Sequence, residues 1–412
     1  MSYMHPWHQP KNSFPSCSCT PRAPREVVLH AEPEEYGHDS SAGPWRFRFL
    51  LALGLVLPAM AHVAPAATPR LLVTLPDDCP TPDGMAIDAQ GNLVVACPNF
   101  AEPARPGCLI RIDPQLRVAK WVDVPVLPES GHACPMGIAF GPDGDLYVCD
   151  NQDWAAGNGP QGEINRGRLL RLRIRDGHVE RTTVVAHSIS HPNGVRVRDG
   201  HVYITVSLLP KVKRPDGLLT SAVYRFKLDD ENIRVSNTLD DPNLLVSLVT
   251  RNRDCQYGAD GLVFDSRGQL LVGNFGDGAL HRIAFDAAGR VVGQTVFAQT
   301  DFRTPAAAPD FARRMVQAAM RTTDGICIDA QDNVYVADFS NNAVCRVDPT
   351  GKITVLAQSA DTDGRDGGLD QPGEPIIWNG KLVVTCFDAV TGPDKVNQRH
   401  DRPSTIVWLP LE

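Results

Sequence analysis

Apolar residues along most of this chain alternate with polar ones in runs of five to eight, and the same arrangement of runs returns six times. In four copies it opens on an oxygen-bearing side chain and a glycine, continues as an apolar strand, turns, and continues as a second apolar strand. The copies read DGMAIDAQGNLVVACPN from Asp83, MGIAFGPDGDLYVCDN from Met136, NGVRVRDGHVYITVS from Asn193, DGLVFDSRGQLLVGNF from Asp260 and DGICIDAQDNVYVADF from Asp324; a degenerate sixth is GEPIIWNGKLVVTCFD from Gly373. Alternation with period two between turn residues predicts strands rather than helices. The interval from copy to copy, roughly 50 to 67 residues, suits one four-stranded blade per repeat. A third strand keeps phase in five of the copies with an arginine between apolar neighbours: Arg111, Arg171, Arg225, Arg282 and Arg346. We read these arginines as structural, their stems packed on neighbouring blades.

The sixth copy reaches Thr405 to Leu409 at the end of the chain and has no residues left for an outer strand. The stretch Arg70 to Leu75 can supply it. The expected fold is therefore all-β, a six-bladed β-propeller closed by N- and C-terminal strands, with one short helical insertion around Thr304 to Arg321 through PDFARRMVQAAM.

Composition narrows the function classes. A closed ring is one cooperative unit, so residues 68–412 form a single propeller despite a length of 412. With 21% charged residues, a net charge of −8 and no basic run, neither nucleic acid nor an anionic membrane is an expected partner. Residues 1–44 lack apolar periodicity and read as a disordered extension or a start placed too far upstream. Residues 45–67 have signal-peptide form: Arg46 and Arg48, the apolar run Phe49 to Met60, then small residues that allow cleavage after Ala61 or Ala67. That run is short for a bilayer, so the expectation is a periplasmic or secreted protein without stable membrane insertion.

Nine of eleven cysteines lie beyond this segment. Cys149 and Cys327 stand where other copies have small residues and read as buried thiols. Cys97 has two candidate partners, Cys108 and Cys386, between which sequence does not choose. No CxxC pair suggests zinc.

The residues that begin the inner strands of a propeller meet at one mouth of its central channel. Here they are Asp83, Met136, Asn193, Asp260, Asp324 and Gly373, with Glu374 one step on. So many carboxylates aimed at one point repel unless a cation lies among them. An all-oxygen set favours Ca²⁺, with Mg²⁺ or another divalent cation second. Against this stands the plainer reading that Asp-Gly and Asn-Gly merely form turns. At the ends of the second strands, Asp150, Asn151, Asn274 and Asp338 could add ligands or hold them in place. Long connections on this face suit a roofed small-molecule site, with Trp154, His191, Phe275 and Phe339 as candidate walls.

The motifs HPNGV at His191 to Val195 and GADGLVFD at Gly258 to Asp265, with the six repeats, resemble the gluconolactonase and senescence marker protein superfamily and its calcium-dependent phosphotriesterase relatives. The likeness covers the chain from residue 70 onward. It implies a Ca²⁺ at the channel mouth, a lactone- or ester-hydrolysing activity, and a ligand set mapping to Asp83, Asn193 and Asp260, with Asp324 as a further polar ligand. It also implies that Asp260 both holds the metal and takes a proton from water; His191 is a second catalytic candidate, as a proton shuttle. Met136 departs from the pattern, since the family places a ligand asparagine there, and Asp83 is one methylene shorter than the usual glutamate. The alternative function is a non-catalytic exported propeller with a structural cation.

Overall fold

The computed structural model describes residues 67–411 except 103, 153–164, 301–318 and 393–394. The signal segment, the N-terminal extension, Trp154 and nearly all of the insertion expected to be helical fall outside the described residues.

Six antiparallel blades follow one another. The chain begins with β1 (Arg70–Thr74), which belongs to the last blade. Blade 1 is β2 (Met85–Ile87), β3 (Leu93–Cys97), β4 (Cys108–Ile112) and β5 (Val118–Asp123). Blade 2 is β6 (Pro135–Phe140), β7 (Leu146–Asp150), β8 (Gly167–Arg175) and β9 (His178–Ile189). Blade 3 is β10 (Pro192–Arg198), β11 (His201–Val206), β12 (Leu219–Lys227) and β14 (Leu244–Thr250), while β13 (Ile233–Arg234) adds in parallel to β9. Blade 4 is β15 (Ala259–Phe264), β16 (Leu270–Asn274), β17 (Ala279–Phe285) and β18 (Val291–Gln299). Blade 5 is β19 (Ile326–Ile328), β20 (Val334–Asp338), β21 (Ala343–Val347) and β22 (Ile353–Gln358). Blade 6 is β23 (Pro372–Trp378), β24 (Lys381–Cys386) and β25 (Thr405–Pro410), completed by β1. β1 pairs with β25 from Arg70 opposite Trp408 to Thr74 opposite Thr405, so the ring closes as the repeat pattern requires.

Local chemistry explains the hairpins. Asp88, Asp265 and Asp329 each accept backbone N–H groups from two and four residues later at 2.8–3.0 Å, pinning the turn between the first and second strands. The apolar clusters lie between blades: Val94, Leu109, Ile138 and Val148 join blades 1 and 2, and Val263, Leu271, Ile326 and Val336 join blades 4 and 5. Third-strand arginines add polar ties. Arg171 donates to Leu228 O at 2.6 Å and Arg225 to Gly289 O at 2.7 Å, each reaching a turn of the following blade.

The glycine of the repeated dipeptide has a different purpose from a turn glycine. Gly137, Gly194 and Gly261 do not have positive φ. A Cβ on Gly137 would lie 2.5 Å from Asn193 O, on Gly194 2.7 Å from Asp260 O, and on Gly261 2.6 Å from Asp324 O. Each glycine thus lets its strand touch the backbone of the next blade's opening residue. The plainer alternative of turn glycines thus gives way to a steric role at these three positions, and this close approach draws the opening residues into a tight ring.

Candidate functional site

In blades 2, 3, 4 and 6 the opening dipeptide sits in a β-bulge. Between Pro192 and Val195, for example, three steps on β10 match two on β11, and the same irregularity spans Pro135 to Ile138, Ala259 to Leu262 and Pro372 to Pro375. A bulge bends its strand and re-aims a side chain. Threonine hydroxyls brace the ring from one blade to the next: Thr205 Oγ1 donates to Asp260 O at 2.5 Å and Thr385 Oγ1 to Asp83 O at 2.9 Å.

The result is a small cavity of about 10 Å³ at the channel mouth, room for a single ion or water, lined by Asp83, Asn193, Asp260, Asp324, Glu374, Arg196 and the ring glycines. All four sequence-predicted ligands and Glu374 come together here. Burial raises the carboxyl of Asp83 to about 8, with Glu374 adding to the rise. Burial likewise pushes Asp260 and Asp324 well above the usual carboxylate range, with the charge of Asp83 contributing to both. The charge of Asp260 raises Asp324 further.

Arg196 is the residue that the sequence reading missed. Its guanidinium donates to Glu374 Oε1 at 2.8 Å and to Ile326 O at 3.0 Å, crossing the channel from blade 3 to blades 5 and 6. The signal was present: at the equivalent inner-strand position the other copies have Ala86, Ala139, Val263, Cys327 and Ile376.

Met136 brings no oxygen donor from its side chain, which is buried in an apolar cluster with Tyr147, Cys149 and Val206. His191, expected as a shuttle beside Asn193, does not line the cavity. It is fully buried, its ring lies edge-on to Tyr257 at 6.3 Å, and burial lowers it to about 4, so it is neutral at physiological pH. Asp150 and Asp338 are spent on the backbone that leads into their own blades. Asp150 accepts from Cys134 N at 2.7 Å and pairs with Arg168; Asp338 accepts from Arg321 N at 2.8 Å and Thr322 N at 3.0 Å. Asn274 accepts from Thr250 Oγ1 at 2.9 Å and donates to Val249 O at 3.2 Å. These residues hold the incoming chain and do not line the cavity. Asn151 is fully buried, and neither of its side-chain polar atoms has a hydrogen-bond partner among the described residues.

Phe275 and Phe339 belong to a longer apolar arc. Rings run in contact from Tyr257 to Phe275 (5.5 Å between centroids), Phe339 (5.7 Å), Phe387 (5.6 Å) and Phe100 (5.8 Å), through blades 4, 5, 6 and 1. Phe275, Phe339 and Phe387 each directly follow a second strand, on the side where the opening residues lie.

The chemistry of the donors fits a hard divalent cation: oxygen only, buried, with four carboxyl groups facing one guanidinium. Among the described residues, no three His, Cys, Asp or Glu side chains are gathered tightly enough to grip an ion in this arrangement. Glu374 is paired with Arg196 at 2.8 Å.

No known family model and no curated protein matches the chain. Among solved structures it is similar to a luciferin-regenerating enzyme at 12% identity and TM-score 0.53, covering 84% of this chain and 95% of that one. It also matches a gluconolactonase from Xanthomonas campestris at 18% identity and TM-score 0.47, covering 85% and 99%. A third match is the calcium-binding protein regucalcin from Agrobacterium tumefaciens, at 16% identity and TM-score 0.46, covering 84% and 94%. At these identities the likeness is one of fold.

Proposed function

We propose that the chain is a divalent-cation-dependent hydrolase of a lactone or related ester, with Ca²⁺ the preferred ion and Mg²⁺ second. The observation that carries this reading is the buried cavity at the channel mouth where the side-chain oxygens of Asp83, Asn193, Asp260, Asp324 and Glu374 converge. Asp83, Asn193, Asp260 and Asp324 would hold the ion. When bound, it supplies Lewis acidity toward a carbonyl oxygen, a contribution of several kcal/mol in general. Asp260 takes the proton from the attacking water, its basicity raised by burial and by the charge of Asp83. Arg196 keeps Glu374 fixed at the cavity wall. The aromatic arc offers an apolar seat for the body of the substrate and keeps bulk water away from the reacting ester.

One observation favours the alternative of a structural cation in a non-catalytic binding propeller: the second blade contributes no oxygen donor from Met136. A panel of lactones assayed with Ca²⁺ and with chelator separates the two. Hydrolysis that needs the cation supports the enzyme; no turnover of any member by the loaded protein supports the binding reading.

Proton linkage gives a further expected result. Each ring carboxyl is held above its unfolded value, so between about pH 4 and pH 8 the ion-free folded chain binds protons that the unfolded chain has released. The stability of the ion-free protein therefore falls as pH rises through this window. In chelator, melting should occur at a lower temperature at pH 8 than at pH 5.5. Added Ca²⁺ at a hundredfold excess over Kd should raise it by about 5 °C at pH 8, and by less at pH 5.5, where protons compete. Equal Ca²⁺ shifts at both pH values would place the ion elsewhere.

We also propose export, with residues 45–67 as the signal. Mass spectrometry of the protein from its native compartment should find a mature N-terminus near residue 62 or 68; an intact Met1 there would reject this.

A further inference from the structure

Three buried thiols meet where the ring closes. Cys79 lies in the segment that leaves β1, the outer strand of blade 6, and crosses to β2 of blade 1. Cys97 ends β3 and stands directly opposite Cys108, the first residue of β4. Cys79 Sγ is 3.5 Å from Cys108 Sγ, and all three side chains are fully buried. Cys386, the other partner considered for Cys97, packs in a separate cluster with Leu369, Leu382 and Val384.

We infer that Cys79 and Cys108 form a disulfide that staples the ring-closing segment to the first blade, leaving Cys97 as a thiol beside it. The two sulfurs already touch and need to approach by only about 1.5 Å to reach bonding distance. A Cys97–Cys108 bond would instead link residues that the β3–β4 ladder already fixes. The segment around Cys79 has much weaker backbone support: Leu75 N donates to Ser404 O at 2.9 Å, Cys79 N to Pro76 O at 2.9 Å, and Thr81 N to Ser404 Oγ at 3.3 Å. A cross-link stabilises most where it restrains the longer loop, so the staple acts where the fold lacks a ladder. It also lies four residues before Asp83, and so anchors the chain that delivers the first ring carboxylate.

The redox step balances simply. The two thiols give up two protons and two electrons, which an incoming disulfide such as glutathione disulfide takes up as it becomes two thiols. Exchange requires a thiolate, and the hydrogen-bonded neighbour Cys108 together with burial pushes the Cys79 thiol up. The bond therefore forms while the closing segment is still open, and the folded protein exchanges it slowly. An oxidising compartment, to which the proposed export would deliver the chain, suits this chemistry.

The test is refolding of the full chain in a glutathione redox buffer, acid quenching, alkylation under denaturing conditions and peptide mapping by mass spectrometry. The expected result is a peptide pair joined through Cys79 and Cys108, lighter by two hydrogens, with Cys97 alkylated. Cys97→Ser should keep the link. Cys79→Ser should lower the melting temperature by about 5 °C in oxidising buffer, with little change in reducing buffer. A Cys97–Cys108 link, or alkylation of all three cysteines in the wild type, overturns the inference.

Discussion

Asp260→Asn should lower lactone hydrolysis by roughly 10²-fold or more while metal occupancy stays near that of the wild type. The substitution keeps the side chain's size and one oxygen ligand, and it removes only the basic carboxylate. A 10²-fold loss corresponds to about 2.7 kcal/mol of transition-state stabilisation, the scale of losing one positioned proton acceptor. A second measurement checks the same residue from the opposite side. Because burial and the Asp83 charge hold Asp260 above its ordinary range, removing its charge relieves the ion-free ring. In chelator at pH 8 the variant should therefore melt higher than the wild type, although it is the poorer catalyst. If Asp260→Asn is fully loaded and nearly as active as the wild type, the base role passes to Asp324 or Glu374.

Gly261→Ala is expected to destabilise the fold by about 3 kcal/mol, the upper part of the usual range for overpacking. The added Cβ would meet Asp324 O at 2.6 Å and Ile326 N at 2.7 Å, both backbone atoms of the next blade, so no flexible side chain can yield. Gly293→Ala is the control. It lies in β18 without positive φ, its nearest neighbour would be Ala284 Cβ at 3.9 Å, and its effect should stay within about 0.5 kcal/mol. Denaturant unfolding of the two variants measures the difference. Similar midpoints would mean that the blade-to-blade approach has slack and the ring is not set by its glycines.

The repeat made the blades, their register and the closing strand visible before any coordinates, because period-two alternation and tight turns are local signals. The same register brought Asp83, Asn193, Asp260, Asp324 and Glu374 to one cavity. What the sequence hid depended on direction or distance. Met136 occupies the right position but its side chain points into the core, and His191 neighbours Asn193 in the chain while its ring packs on Tyr257. Asp150 and Asp338 looked like ligand-bearing residues, yet backbone N–H groups and, for Asp150, the side chains of Arg168 and Gln152 consume their oxygens, a requirement that a strand pattern does not express. The aromatic arc was half visible through Phe275 and Phe339; Phe387 at the matching position would have extended it. The contact between Cys79 and Cys108 joins residues 29 apart across a crossing segment with no periodicity, and no spacing rule predicts it.

The arc of rings also makes the mouth handed. Aromatic side chains occupy blades 4, 5, 6 and 1, whereas blade 2 has no ring at the matching place, only the buried polar residues Asp150, Asn151 and Gln152. A molecule seated at the acidic centre would thus have rings to one side of it only, a lopsided surround that distinguishes left from right. On the hydrolase reading, a chiral lactone would be accepted by one of its mirror images in preference to the other, an enantioselectivity built from backbone register before any detail of the substrate matters.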